Sequence, residues 1–151
     1  MHRLTTPRAL AALLAAGGAS RFKGSTHKLL APLGGRPVWE RSLEAVLGAG
    51  FDHVVVVTGA VTLPTPPDVS PTVIWRSHPA WSEGQAGSVQ VALRAADELG
   101  AERVTIGLAD QPFVPSEAWR AVADAPAECR IAIATYDGTP GPNPVRLDRT
   151  V

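Results

Sequence analysis

Short continuous apolar stretches alternate along this chain with segments whose apolar residues recur every three or four positions. The stretch "RALAALLAA", residues 8–16, is apolar without interruption and is cut off by Gly17 and Gly18. That pattern predicts a strand buried on both faces, although its alanines leave a helix open. "PVWERSLEAVLGAG" opens on Pro37, repeats apolar residues at Val38, Leu43, Val46 and Leu47, and closes on glycine, which predicts an amphipathic helix with both ends marked. "HVVVVTG", residues 53–59, is β-branched and continuous, hence a second buried strand. Pro64, Pro66, Pro67 and Pro71 then forbid regular structure, and "VIWR", residues 73–76, predicts a short third strand.

The second half repeats the alternation. "SEGQAGSVQVALRAADELG" places Val89, Ala92, Leu93 and Ala96 on one face and predicts a loop feeding a helix from about Ser88. "RVTIGLADQP" predicts a buried strand that delivers Asp110 at its end and is stopped by Pro112. A helix follows with Pro115 in its first turn, then a strand over 130–136, and "NPVRL" begins another. Strands alternating with helices at this spacing imply one α/β domain over residues 1–151, with a mostly parallel sheet covered on both faces. Open sheets of this kind bind ligands beyond the carboxyl ends of their strands, so the loop after the first strand and Asp110 are expected on one edge.

Composition narrows the functional classes. The chain has 151 residues, 45% of them hydrophobic, enough for a single core. Arg8 and Arg21 bracket the longest apolar run, which excludes an 18-residue helical membrane span. Arg3 and Arg8 ahead of "ALAALLAAGG" imitate a secretory signal, but that run leads straight into a charged loop and is better read as a strand. The single cysteine, Cys129, leaves no internal disulfide framework and fits a reducing, cytoplasmic setting; beside a strand it reads as a small apolar filler. Fourteen basic and 14 acidic residues cancel, which argues against nucleic acid or an anionic membrane as partner. The cations are nonetheless concentrated: residues 1–41 hold 7 basic residues against Glu40 alone, and the only two lysines, Lys23 and Lys28, share the loop after the first strand.

Two phosphate-loop patterns do not fit that loop. A Walker loop needs Gly-Lys-Ser/Thr, whereas Gly24 is followed by Ser25 and Lys28 comes too late; the dinucleotide G-x-G-x-x-G spacing is absent. What stands there is Leu14-Ala15-Ala16-Gly17-x-x-Ser20-Arg21-Phe22-x-Gly24-x-x-x-Lys28-Leu29-Leu30. It resembles the signature loop of the MobA-like NTP transferases, the molybdenum cofactor cytidylyl- and guanylyltransferase branch of the nucleotidyltransferases, with one extra residue between Gly17 and Ser20. The resemblance continues in "SEGQAGSV", "GLADQP" and "GPNPVRL", in order and over nearly the whole chain.

The resemblance implies a Rossmann-like three-layer α/β/α fold of the nucleotide-diphospho-sugar transferase type. It implies a nucleotide site of Ala15, Ala16, Gly17, Gly18, Ser20, Arg21, Gly24, Lys28, Gly87 and Ser88, with Arg21, Lys28 and Asp110 catalytic and Mg2+ held by Asp110. "GPNPVRL" is similar to the stretch that meets the second substrate, and Leu14-Ala15-Ala16-Gly17 tips the nucleotide towards CTP over GTP. The residue types suit the task. Glycine amides approach phosphates closely, the planar fork of Arg21 clamps phosphate oxygens, Lys28 is a compact point charge, and Asp110 is a hard oxygen ligand. The acceptor implied is a small phosphate-bearing molecule of the pterin type, whose phosphate attacks the α-phosphorus in line while pyrophosphate leaves.

Plainer readings stand beside these. Arg21 and Lys28 fit a solvated surface loop, Asp110 and Ser88 fit helix caps, and Lys23 fits a solvated side chain. The four tryptophans read as core or half-buried surface, and the four histidines show no metal-ligand spacing. An NAD(P)-dependent oxidoreductase and a non-catalytic nucleotide-binding protein are the alternative classes. By resemblance, family members continue past "NPVRLDRTV" with a Gly-Asp segment that adds a second acidic group near the metal. The expectation for residues 1–151 is therefore binding through Asp110 with weak turnover, Asp137 and Asp148 being the substitutes nearest in sequence.

Overall fold

The computed structural model describes residues 9–17, 28–60, 62–65 and 72–149. Its elements in chain order are β1 (Ala9–Ala15), β2 (Pro32–Leu33), β3 (Arg36–Pro37), α1 (Val38–Leu47), β4 (His53–Thr58), β5 (Val73–Ser77), α2 (Gln85–Glu98), β6 (Arg103–Leu108), α3 (Ser116–Ala123), β7 (Ile131–Tyr136) and β8 (Thr139–Asp148). Single 3₁₀ turns cover Lys28–Leu30 and Trp81–Glu83. One six-stranded sheet runs in the order β5-β4-β1-β6-β8-β7. β1 is central and parallel to both neighbours, with Leu14 opposite Val57 on one side and Leu108 on the other.

The uninterrupted apolar run of β1 follows from that position. Ala11, Leu13 and Ala15 face a core closed by Trp39, Leu43 and Val46 of α1 and Trp119 of α3. Leu10, Ala12, Leu14 and Ala16 face the other core, closed by Ala92, Ala95 and Ala96 of α2. Helices on both faces make three layers, and the alanines on β1 and α2 let those two elements approach closely. β2 and β3 form a two-residue hairpin whose turn, Gly34 and Gly35, has φ of 62° and 85°, the double left-handed conformation such a turn requires.

The sheet is mostly parallel, as expected, and the structure corrects several details. One edge is mixed, because β8 runs antiparallel to β6 and forms a hairpin with β7. The Asp137–Gly138 turn, with φ of 52° and 79°, permits that hairpin, and "GPNPVRL" lies along β8. Within it Arg146 is fully buried and donates to the carbonyls of Ala123, Ala125, Pro126 and Cys129, so it fastens the segment after α3. Burial, and secondarily the charge of Arg103, lower its pKa from the ordinary guanidinium value. Cys129 is exposed, since it belongs to that connecting segment, and is no apolar filler. α2 begins at Gln85, three residues before the expected start, because Gly84 with φ of 118° supplies the break. Ser88 is thus inside the helix and does not cap it. Asp148 sits 4.0 Å from Arg103 at the opposite end of β6 from Asp110, and Asp137 occupies the β7–β8 turn. No helix among the described residues is long and apolar enough to cross a membrane.

Candidate nucleotide site

The parallel strands β1 and β6 end side by side, and the chain leaves each at the same sheet edge. The Ala109 amide donates to the Leu14 carbonyl at 2.9 Å, which extends the ladder one residue beyond β6. Gln111 then turns back on the carbonyl of Leu108 at 3.2 Å, and Asp110 stands at the apex of this turn. Across the gap, Leu29 is buried in the core, only 5% exposed, which anchors its 3₁₀ turn and directs Lys28 over the sheet edge. Lys28 Nζ lies 3.0 Å from Asp110 Oδ2. Both side chains keep partial contact with solvent, at 45% and 35% exposure, so an incoming anion or cation can reach them.

This pair borders a cavity of about 280 Å³. Its floor is Leu14, Ala15, Ala16 and Gly17 at the end of β1, and its far wall is Trp81, Gly84, Gln85 and Ser88 at the start of α2. Gly59 lets β4 close against that floor, because a Cβ there would lie 2.8 Å from both the Cβ and the carbonyl oxygen of Ala16. A larger hollow of about 580 Å³ opens on the other side of the pair and shares Lys28 and Asp110 with the first. Apolar side chains form most of it: Leu33, Val38, Phe113, Val114 and Tyr136. Burial raises the Tyr136 pKa, and its hydroxyl donates to the carbonyl of Asn143 at 2.9 Å.

Six expected site residues therefore meet at one cavity: Ala15, Ala16, Gly17, Lys28, Ser88 and Asp110. Gly87 is not on its wall; a Cβ there would collide with the His78 ring, so its absent side chain makes room for the imidazole. Gly18, Ser20, Arg21 and Gly24 lie outside the described residues, as does Lys23. The sequence did not point to Trp81 or His78, and it marked Gly84 and Gln85 only as members of the "SEGQAGSV" segment. Gly84 ahead of an amphipathic run was the available signal for an earlier helix start, whereas nothing in the periodicity marks His78. No group of three or more His, Cys, Asp or Glu side chains gathers among the described residues. One carboxylate beside a phosphate-sized space still fits magnesium, which keeps waters and takes substrate phosphate oxygens for the remainder of its shell.

A three-layer sheet with a cavity across the carboxyl ends of its central parallel strands defines a Rossmann-like nucleotide-binding architecture. The chain belongs to the MobA-like NTP transferase family, whose domain model matches residues 11–149. It is 28% identical over 131 residues to the bifunctional protein GlmU of Methylibium petroleiphilum, covering 83% of this chain and 28% of GlmU, so it spans less than a third of that relative. Among solved structures it resembles Rv0371c of Mycobacterium tuberculosis H37Rv at a TM-score of 0.77 and 26% identity, covering 97% of this chain and 74% of the other. The complex of Rv0371c with manganese also matches, at a TM-score of 0.66. A nucleotidyl transferase from Methanothermobacter, Mth528, matches at a TM-score of 0.71 and 25% identity over 93% of this chain and 71% of its own.

Proposed function

We propose that this chain is a nucleotidyltransferase of the cytoplasm. It moves a nucleoside monophosphate from CTP, in preference to GTP, to a small phosphate-bearing acceptor of the pterin type. An acceptor phosphate oxygen bonds to the α-phosphorus as the bond from that phosphorus to the pyrophosphate oxygen breaks, and pyrophosphate departs. The observation that carries this reading is the Lys28–Asp110 pair, 3.0 Å apart, on the boundary of two hollows. One cation and one carboxylate between two substrate-sized spaces suit transfer of a charged group from one occupant to the other.

The residues divide the work. Lys28 offers a positive charge where negative charge accumulates on the transferring group, and the glycine-bearing end of β1 lets phosphates approach the main chain. Arg21, by the family pattern, adds a bidentate clamp. Asp110 would hold Mg2+, which when bound neutralises phosphate charge; that the similar protein Rv0371c forms a complex with manganese supports a divalent ion in this reading. The larger apolar hollow holds the acceptor's body on the far side of the pair, which favours in-line displacement.

Titration with CTP, GTP and NADH, each with and without magnesium, tests the reading, followed by pyrophosphate release in the presence of a pterin phosphate. Magnesium-dependent CTP binding and CTP-dependent pyrophosphate release are expected. Tight NADH binding, or a clear preference for GTP over CTP, would overturn the corresponding part.

A further inference from the structure

His78 is buried, 7% exposed, and belongs to none of the steps above. Its main chain is fixed from both sides: the amide donates to the Thr58 carbonyl at 2.7 Å, and its carbonyl accepts from the Trp81 amide at 3.1 Å. The ring lies against Gly87, where any side chain would displace it. Its Nδ1 is 3.0 Å from Oγ of Ser88, itself 3% exposed yet part of the cavity wall. A serine inside a helix commonly returns its hydroxyl to the carbonyl four residues back, but here the side chain bonds to His78.

We infer that His78 is a positioning residue that fixes Ser88 as a hydrogen-bond acceptor towards the bound base, so that the cavity selects nucleoside triphosphates whose base presents an amino group. The inference rests on reading the cavity as the nucleotide site. A hydroxyl has one proton and two lone pairs. Placing the ring proton on Nε2 makes Nδ1 the acceptor of the Ser88 hydroxyl proton, and this tautomer is part of the proposal. With its proton committed to His78, Ser88 presents lone pairs to the cavity. Those receive the 4-amino group of cytosine and repel the keto oxygen that uracil carries at the same place. The charges of the site, Lys28 and Asp110, stand at one side, whereas Trp81, Gly84, Gln85 and Ser88 opposite are uncharged. Triphosphate belongs with the former and the base with the latter.

CTP and UTP differ at that group while sharing sugar and charge, so their affinity ratio reports the contact and is insensitive to general loosening of the site. The parent is expected to bind CTP at least about tenfold tighter than UTP. Ser88→Ala and His78→Leu should each bring the ratio close to one, and the double variant should go no further than either alone. Circular dichroism checks that each variant is folded; should His78→Leu unfold, Ser88→Ala still decides. An unchanged ratio in Ser88→Ala, an unchanged ratio in folded His78→Leu, or additive losses in the double variant overturn the inference while leaving the nucleotide reading intact. A parent that binds neither triphosphate removes both together.

Discussion

The hydroxyl of Ser42 in α1 donates a 2.6 Å hydrogen bond to the main-chain carbonyl of Ala109, the residue that precedes Asp110. Both residues are buried, at 3% and 0% exposure, so a helix that meets the two hollows only through Val38 fixes the turn that presents the carboxylate. Ser42→Ala should leave the Ala109 carbonyl without a donor and destabilise the fold by about 1–3 kcal/mol, measured by urea unfolding. Pyrophosphate release should fall as the turn loosens. Full activity in a folded Ser42→Ala would show that Asp110 needs no such support.

Lys28→Ala separates function from stability. The ion pair with Asp110 is half-exposed, so its loss should change stability by less than about 1 kcal/mol, whereas transfer should fall about 100-fold. Triphosphate binding by the parent should weaken with added salt, and Arg21→Ala should weaken binding as well. If both variants bind CTP and GTP as the parent does, the loop does not hold phosphate.

Gly59→Ala tests the close approach of β4 to the cavity floor. The new methyl would press on Ala16, including its main chain, and on the Cβ of Trp81. A loss of about 1–3 kcal/mol is expected from thermal or urea unfolding, with weaker nucleotide binding because the floor must shift. An unchanged midpoint would mean that β1 and the Trp81 turn yield without cost.

Arg146→Met should cost about 1.5–3 kcal/mol in urea unfolding, since four carbonyls of the part-buried segment after α3 lose a shared charged donor. Arg146→Lys should recover only part, because an ammonium lacks the planar fork that reaches several carbonyls at once. Equal stability of the lysine variant and the parent would reduce Arg146 to a space-filler.

Much of the fold was legible because β1, β4 and β6 are covered on both faces, which forces uninterrupted apolar runs, and because α1 carries its own Pro and Gly boundaries. The edge was less legible. The strand β7 leaves Ile131 and Ile133 exposed, and β8 is interrupted by Pro140, Pro142 and Pro144, so neither shows the burial pattern that reveals direction. At the site, Asp110 could be read because a carboxylate closing an apolar strand is conspicuous, and Lys28 because lysine is otherwise almost absent from the chain. His78 could not: its part depends on lying against Gly87, nine residues away, a proximity that only the fold creates. Ser88 was found, but its neighbour there was not, since helix periodicity reports which face is buried and is silent on what the buried hydroxyl meets.

The placement of β1 at the centre of the sheet also governs how the molecule is made. This strand comes first among the described elements, yet one of its two partners, β6, ends at Leu108. During synthesis its apolar edge facing β6 must wait for about ninety further residues, several seconds at ordinary translation rates, before that pairing can form. Closing so long a loop is entropically slow compared with forming the local β2–β3 hairpin or α1. The nascent chain therefore carries an apolar strand with one edge unpaired through that interval, and holding it is work for a chaperone at the ribosome exit.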